Sequence, residues 1–189
     1  MCRSLKKEGC DVARYSQVEL LRNGTSIEIR ALMPSDRADL IAAIGRTSAQ
    51  TLYRRFFSPR GTLSDAEIGY FVDVDFVNHV ALVATAAEGG RPVIVGGARF
   101  IVIKPGRAEL AIAVVDQYQG RGIGLALMKN LVRIAQAIGI RALIADVLAE
   151  NVGMLRVLDK CGFALTKVRE GDVTHVSIDL ANRADSVRS

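Results

Sequence analysis

The chain has 189 residues, half of them hydrophobic and about a quarter charged, a length and balance that fit one soluble domain with a sizeable core. Its net charge of +5 gathers at the ends: residues 1–24 hold five basic and three acidic groups and residues 181–189 two and one, so the body lacks the dense basic stripe of a nucleic-acid binder. No apolar run reaches membrane-spanning length, the N-terminus lacks the apolar core of a secretory signal, and Cys2, Cys10 and Cys161, with His79 and His175 isolated, form neither a disulfide framework nor a metal site; the cytoplasm is the expected compartment.

Residues 1–24 mix charges and turn formers and are expected as a mobile leader, with a frayed helix over Gln17–Arg22. The alternation of Ser26-Ile27-Glu28-Ile29-Arg30 predicts a strand. Pro34 and Gly45 bracket a helix with Leu40, Ile41 and Ile44 on one face. A second helix is expected over Ser48–Phe57, and Ser64-Asp65-Ala66-Glu67 is a capping box that opens a third, to about Val72. Val80–Ala86 and Val93–Ile103 read as strands, the second interrupted at Gly96-Gly97 as a bulge would be. Lys104-Pro105-Gly106 turns the chain into a further strand, Arg107–Val115.

Between that strand and the next helix lies Gln119-Gly120-Arg121-Gly122-Ile123-Gly124. Glycines at alternate positions clear side chains from the start of a helix, where unpaired N–H groups and the helix dipole suit a phosphate. The dinucleotide fingerprint needs a third glycine where Leu125 stands, and the P-loop needs a G-K-[ST] that the chain lacks. The helix that follows repeats apolar residues at Leu127, Leu131, Ile134 and Ile138 and ends at Gly139. Ile140–Val147 reads as a strand, Asn151 caps a helix that ends in Gly162-Phe163, and Ala164–Leu180 is a hairpin turning at Glu170-Gly171-Asp172. The architecture is α+β: a mixed, largely antiparallel sheet with helices on both faces.

The Q-x-x-G-x-G spacing of Gln119, Gly122 and Gly124, followed by the Asn151…Gly162-Phe163 segment, resembles the two signatures of the GNAT superfamily of N-acetyltransferases. The resemblance covers roughly residues 25–180 and leaves 181–189 as a tail. It implies direct transfer of an acetyl group from acetyl-CoA to an amine, with no metal. It also implies a cofactor site made of Val114, Val115, Gln119, Gly120, Arg121, Gly122, Ile123, Gly124 and Asn151, with Arg121 directed at the pyrophosphate.

An amine acceptor must lose a proton, since a lysine side chain has a pKa of about 10.4. Glu109 is the expected base. Every residue from Leu110 to Val115 is apolar, so Glu109 is the last charge before Asp116, and burial among apolar neighbours would raise its pKa toward the working pH. Asp116 is placed second, as a residue that orients the loop. Many superfamily members supply an acid from a tyrosine four residues before the glycine of Gly-Phe. That position is Leu158 here, so no acid is assigned.

Thr51-Leu52-Tyr53-Arg54-Arg55-Phe56-Phe57, with Leu63-Ser64, Val80–Ala84 and Ala108-Glu109, resembles the catalytic domain of bacterial Pat-type protein lysine acetyltransferases. That implies protein substrates such as acyl-CoA synthetases, and no nucleic-acid or membrane partner. Those enzymes often carry a regulatory domain, for which the 189 residues are expected to have no room. From the residues alone, Tyr53, Phe56 and Phe57 read as helix packing. A small-molecule N-acetyltransferase acting on a polyamine, amino acid or antibiotic stays open, as does a non-catalytic acyl-CoA-binding module.

Overall fold

A computed structural model describes residues 11–58 and 63–184. Among the described residues eight strands form one sheet: β1 (Ser16–Leu20), β2 (Ser26–Ala31), β3 (His79–Glu88), β4 (Arg91–Lys104), β5 (Arg107–Val114), β6 (Ala142–Leu148), β7 (Phe163–Glu170) and β8 (Val173–Arg183). Their order is β1-β2-β3-β4-β5-β6-β8-β7. Neighbours are antiparallel except β5 and β6, which are parallel. The α-helices of the described residues are α1 (Arg37–Gly45), α2 (Ala49–Phe56), α3 (Asp65–Val72), α4 (Ile123–Ala137) and α5 (Val152–Asp159). Among the described residues no helix is long and apolar enough to cross a membrane.

The sheet begins earlier than expected. Ser16–Leu20 is a strand paired with β2, not a helix over Gln17–Arg22. Its alternation Gln17, Val18, Glu19, Leu20 puts Val18 and Leu20 outward, so the segment shows none of the apolar stripe that a helix needs. Just before it, Val12 is buried, and so is Leu21 just after. Segment 11–24 is therefore built into the sheet and its core, where a leader was expected. At the other end β8 runs to Arg183, three residues past the expected boundary. Cys2, Cys10 and the tail beyond residue 184 lie outside the described residues.

Helix caps follow the sequence. Ser64 and Glu67 form the reciprocal capping box of α3, and the Ser48 hydroxyl accepts from Thr51 N at the start of α2. The Asn151 side chain accepts from Met154 N at 3.1 Å at the start of α5. The core sits between the sheet and α4, where Leu127, Met128, Leu131 and Ile134 are fully buried against β3, β4 and β5. Two expected apolar positions fall outside it: Ile138 and Ile41 are exposed, and on α1 the smaller Ala43 takes the buried place. Cys161 is buried at the end of α5, as its apolar surroundings suggest, and burial pushes its thiol pKa up.

β4 has its bulge where the glycines stand. Ala84 pairs with Gly96 and Thr85 with Ile94, so Val95 is the extra residue. A Cβ on Gly96 would lie 3.0 Å from the carbonyl oxygen of Ala113 and 3.2 Å from Leu127 of α4. Glycine here lets the sheet bend against the central helix beside the end of β5.

Candidate active site

The parallel pair β5–β6 holds together only at Arg107, Ala108 and Glu109, matched with Ala142, Leu143 and Ile144. Beyond Glu109 the two strands part, and β5 keeps a partner only on its β4 side. Val115 N donates to Val95 O at 3.0 Å, toward β4. Successive backbone groups of a strand face opposite edges, so those of Ile112 and Val114 face the opening. A bound chain with amide groups can pair there as a strand would. Val115 differs from the expected role: its side chain is buried and its N–H is already taken.

The start of α4 sits at the mouth of this opening. Gly122 is its N-cap, with φ 93°, and no side chain caps the helix. The N–H groups of Ile123 and Gly124 therefore belong to the set that a helix leaves without intrahelical partners. Gly120 also lies at positive φ, 74°, so the loop needs glycine at two points for backbone reasons. Gly124 differs: its backbone is helical, and a Cβ there would lie 3.3 Å from Val157 of α5 and 3.8 Å from Val114. The missing Cβ clears space for the packing of α5 on α4. Arg121 is exposed beside the loop, its guanidinium 4.9 Å from the Tyr118 ring centroid.

Side chains brace the loop from α2. Asp116 accepts from Ser48 N at 2.7 Å, from the Ser48 hydroxyl at 2.7 Å and from the Thr51 hydroxyl at 2.9 Å. Burial pushes the Asp116 carboxyl up, but these bonds more than offset it and hold its pKa below the usual carboxylate value. A carboxylate so well supplied with donors is a weak base, which agrees with an orienting role. Gln119 Nε2 donates to Val114 O at 3.0 Å and to the Thr51 hydroxyl at 3.2 Å. Its side chain therefore ties the loop to β5 and α2. Arg54 of α2 meets Glu150, next to the Asn151 cap, at 3.1 Å.

On the sheet face under α1–α3 lies an open cavity. Its lining is mostly apolar and includes Leu52, Phe56 and Phe71, together with Ala111 and Ala113 of β5; Arg55 and Arg99 supply its charge. Glu109 stands two residues before Ala111 on that strand, so it shares the cavity's face of the sheet. It is exposed, which corrects the expectation that its neighbours bury it. Those neighbours, Ala108 and Leu110, point to the other face and are buried there. Glu109 does not pair with Arg107 either; the charge it acts on is Arg55. Of Tyr53, Phe56 and Phe57, Phe56 alone lines the cavity, while Tyr53 and the C-cap residue Phe57 are exposed rather than packed. Leu158, at the position of the common tyrosine, is fully buried.

An uncapped helix start against a parted pair of strands, with a carboxylate beside an open cavity, suits transfer between an anionic carrier and an amine. The sequence model of the acetyltransferase (GNAT) family matches residues 47–163, more than half of the chain. The chain belongs to that family. Acetyl-CoA is the acyl donor of enzymes of that family. Acetyltransferase Pat of Mycolicibacterium smegmatis is 35% identical over 146 residues, which span 75% of this chain and 42% of that protein. The chain thus corresponds to less than half of that relative. Acetyltransferase PA5475 of Pseudomonas aeruginosa is 31% identical over 147 residues, 77% of this chain and 79% of that one. Among solved structures, the GNAT domain of S. lividans PAT superposes with a TM-score of 0.79 at 29% identity, covering 87% of this chain and 96% of that domain.

Sequence reasoning missed the cavity's two arginines and the partner of one of them. Arg99 sits in an ordinary strand, and His79 stands alone in sequence; only the register Ile101–His79 of β3 and β4 brings them near. Arg99 Nη1 is 3.0 Å from His79 Nε2. The alternation of β4 carried the one available signal: Arg99 is a charged residue between Ala98 and Phe100, in a run with few others.

Proposed function

We propose that this protein moves the acetyl group of acetyl-CoA to the ε-amine of a protein lysine, with Glu109 as the base. The observation that carries this is the placement of Glu109. It lies at the last paired residue of β5 before the strands part, on the sheet face that carries the cavity. The carrier's pyrophosphate takes the N–H groups at the start of α4, with Gly120, Gly122 and Ile123 around it. Its amide-bearing arm pairs with the free edge of β5. The acceptor amine enters from the cavity and loses a proton to Glu109, directly or through water. Its nitrogen then attacks the thioester carbonyl, the oxyanion takes a hydrogen bond from a strand N–H such as that of Val114, and the carbon–sulfur bond breaks. The thiolate leaves without an assigned acid, because Leu158 offers none.

The lean toward protein acceptors is supported by the resemblance to Pat-type enzymes and by the likeness to acetyltransferase Pat and to the PAT domain. Acyl-CoA synthetases are the first substrates to test. A cytoplasmic setting fits such partners. A thiol-release assay with acetyl-CoA, run against lysine peptides, purified acyl-CoA synthetases and polyamines, tests the reading. Turnover with lysine acceptors is expected; turnover confined to polyamines or antibiotics would set it aside.

A further inference from the structure

Arg55 on α2 and Arg99 on β4 are the charged residues lining a cavity whose walls are otherwise mainly apolar. Arg99 is held from three directions. Its Nη1 meets His79 Nε2, its Nη2 donates to Phe71 O at 3.3 Å, and its guanidinium lies 4.1 Å from the Phe71 ring centroid. His79 is itself stacked on Tyr70. Burial and the nearby Arg99 hold its pKa below the ordinary histidine value, so its neutral ring accepts from the guanidinium. Burial, and then the like charge of Arg55, pull the Arg99 pKa down to about 9. Arg55 lies 4.9 Å from the Phe56 ring centroid, and Glu109 and Tyr70 act on its charge through space. The ion pairs of the described residues engage Arg14, Arg30, Arg37, Arg46 and Arg54, and none engages Arg55 or Arg99.

Two cations drawn out of water side by side are costly, and arginine does not readily give up its proton. The cost falls when an anion joins them, and the guanidinium fork matches a carboxylate in two-point geometry. A polyamine, with several positive charges, meets repulsion from the same pair. We propose that Arg55 and Arg99 form a carboxylate-binding subsite of the acceptor cavity, so that the preferred acceptor amine carries a carboxylate close by. This rests on the reading of that cavity as the acceptor site. An acidic residue flanking a target lysine and the α-carboxylate of a free amino acid both present this chemistry.

The test compares acceptors in matched pairs under acetyl-CoA: a lysine peptide with glutamate neighbours against the glutamine version, and free amino acids against their amides. The charged member of the productive pair is expected to have a kcat/KM about 10–100-fold higher, the range of a hydrogen bond to a charged group. Arg99→Met and Arg55→Gln should bring that ratio toward one, while Arg55→Lys retains part of it. A melting-temperature rise with acetyl-CoA confirms that each variant is folded. Preference for the glutamate peptide places the carboxylate beside a lysine; preference confined to free amino acids places it on the acceptor's own α-carbon. Equal use of both members by the wild type overturns the subsite and leaves acetyl transfer standing. So does an equal loss for both members in the variants. A preference for succinyl-CoA over acetyl-CoA that the same variants lose would put the carboxylate on the acyl group and also overturn it. Calorimetry with N-acetylated acidic peptides on CoA-loaded protein gives a readout apart from turnover. Binding about tenfold tighter than that of the amide forms, with no transfer to any amine, would keep the subsite and remove the proposed reaction.

Discussion

Single substitutions at Gly122 and Gly124 separate two uses of glycine in the loop. Gly122 lies at φ 93° and ψ −2°, and the nearest atom to an added Cβ is a Leu21 methyl at 4.0 Å. For Gly122→Ala the penalty is therefore the backbone itself, about 1–2 kcal/mol for an L-residue in the left-handed region. At about 2–4 °C per kcal/mol for a chain of this size, the melting temperature should fall by about 2–8 °C. Gly124 has the opposite balance. Alanine gains about 0.8–1 kcal/mol of helix propensity, set against crowding of Val157, 3.3 Å from the new Cβ. Gly124→Ala should thus melt within a few degrees of the wild type, and Gly124→Val, which overfills that contact, should lose about 1–3 kcal/mol. Titration calorimetry with CoA then reads the ligand side. Gly122→Val puts a branched side chain at the uncapped helix start and should weaken binding at least about tenfold, or 1.4 kcal/mol. The Gly124→Ala side chain points at Val157 and should alter affinity much less. Wild-type affinity in Gly122→Val would refute the placement of the pyrophosphate at this helix start. A large loss in Gly124→Ala would refute the division between the two glycines.

Leu158→Ala should cost about 2–5 kcal/mol in denaturant unfolding, because the side chain is fully buried; a shifted alkaline limb in the pH profile of its folded fraction would show that this helix position has a catalytic role. Asp116→Asn should destabilise by about 1–2 kcal/mol near neutrality, as expected of an exposed carboxylate that accepts three hydrogen bonds. Because the folded-state pKa of Asp116 lies below its unfolded value, that contribution is complete above about pH 4 and fades as pH falls through the folded value. Urea titrations from pH 3 to 7 should show the gap to wild type closing on the acid side, and a gap that widens there contradicts the assignment.

Most of the fold was legible because strong local signals coincide with its elements. The capping box at Ser64, the Asn151 cap, the Glu170–Asp172 turn and the 3.6-residue repeat of α4 each mark a boundary or a face that the structure keeps. Segment 16–20 was illegible for a physical reason. It is a five-residue edge strand whose alternation turns both apolar side chains outward instead of into the core, and its partner β2 supplies the order. The glycine loop was legible as a helix start, but not the division of labour within it, since Gly124 is explained by Val157, 33 positions away. Glu109 stands out in the sequence by its place ahead of an apolar run, yet its exposure follows from strand alternation, which sends Ala108 and Leu110 inward. The Arg55–Arg99 pair comes from two elements 44 residues apart and could only appear once α2 had been laid over β4.

The central claim is acetyl transfer from acetyl-CoA to a lysine amine with Glu109 taking the proton, and the pH dependence of Glu109→Gln tests it most directly. The substitution keeps shape and removes the proton acceptor. With a lysine acceptor at pH 7, kcat should fall about 10²–10⁴-fold, the range for a lost general base. It should recover in part as pH rises and more amine is neutral unaided, while acetyl-CoA affinity stays close to the wild-type value. A residue that merely binds the acceptor would instead raise KM at every pH. Near-wild-type kcat at pH 7 in this variant would contradict the account.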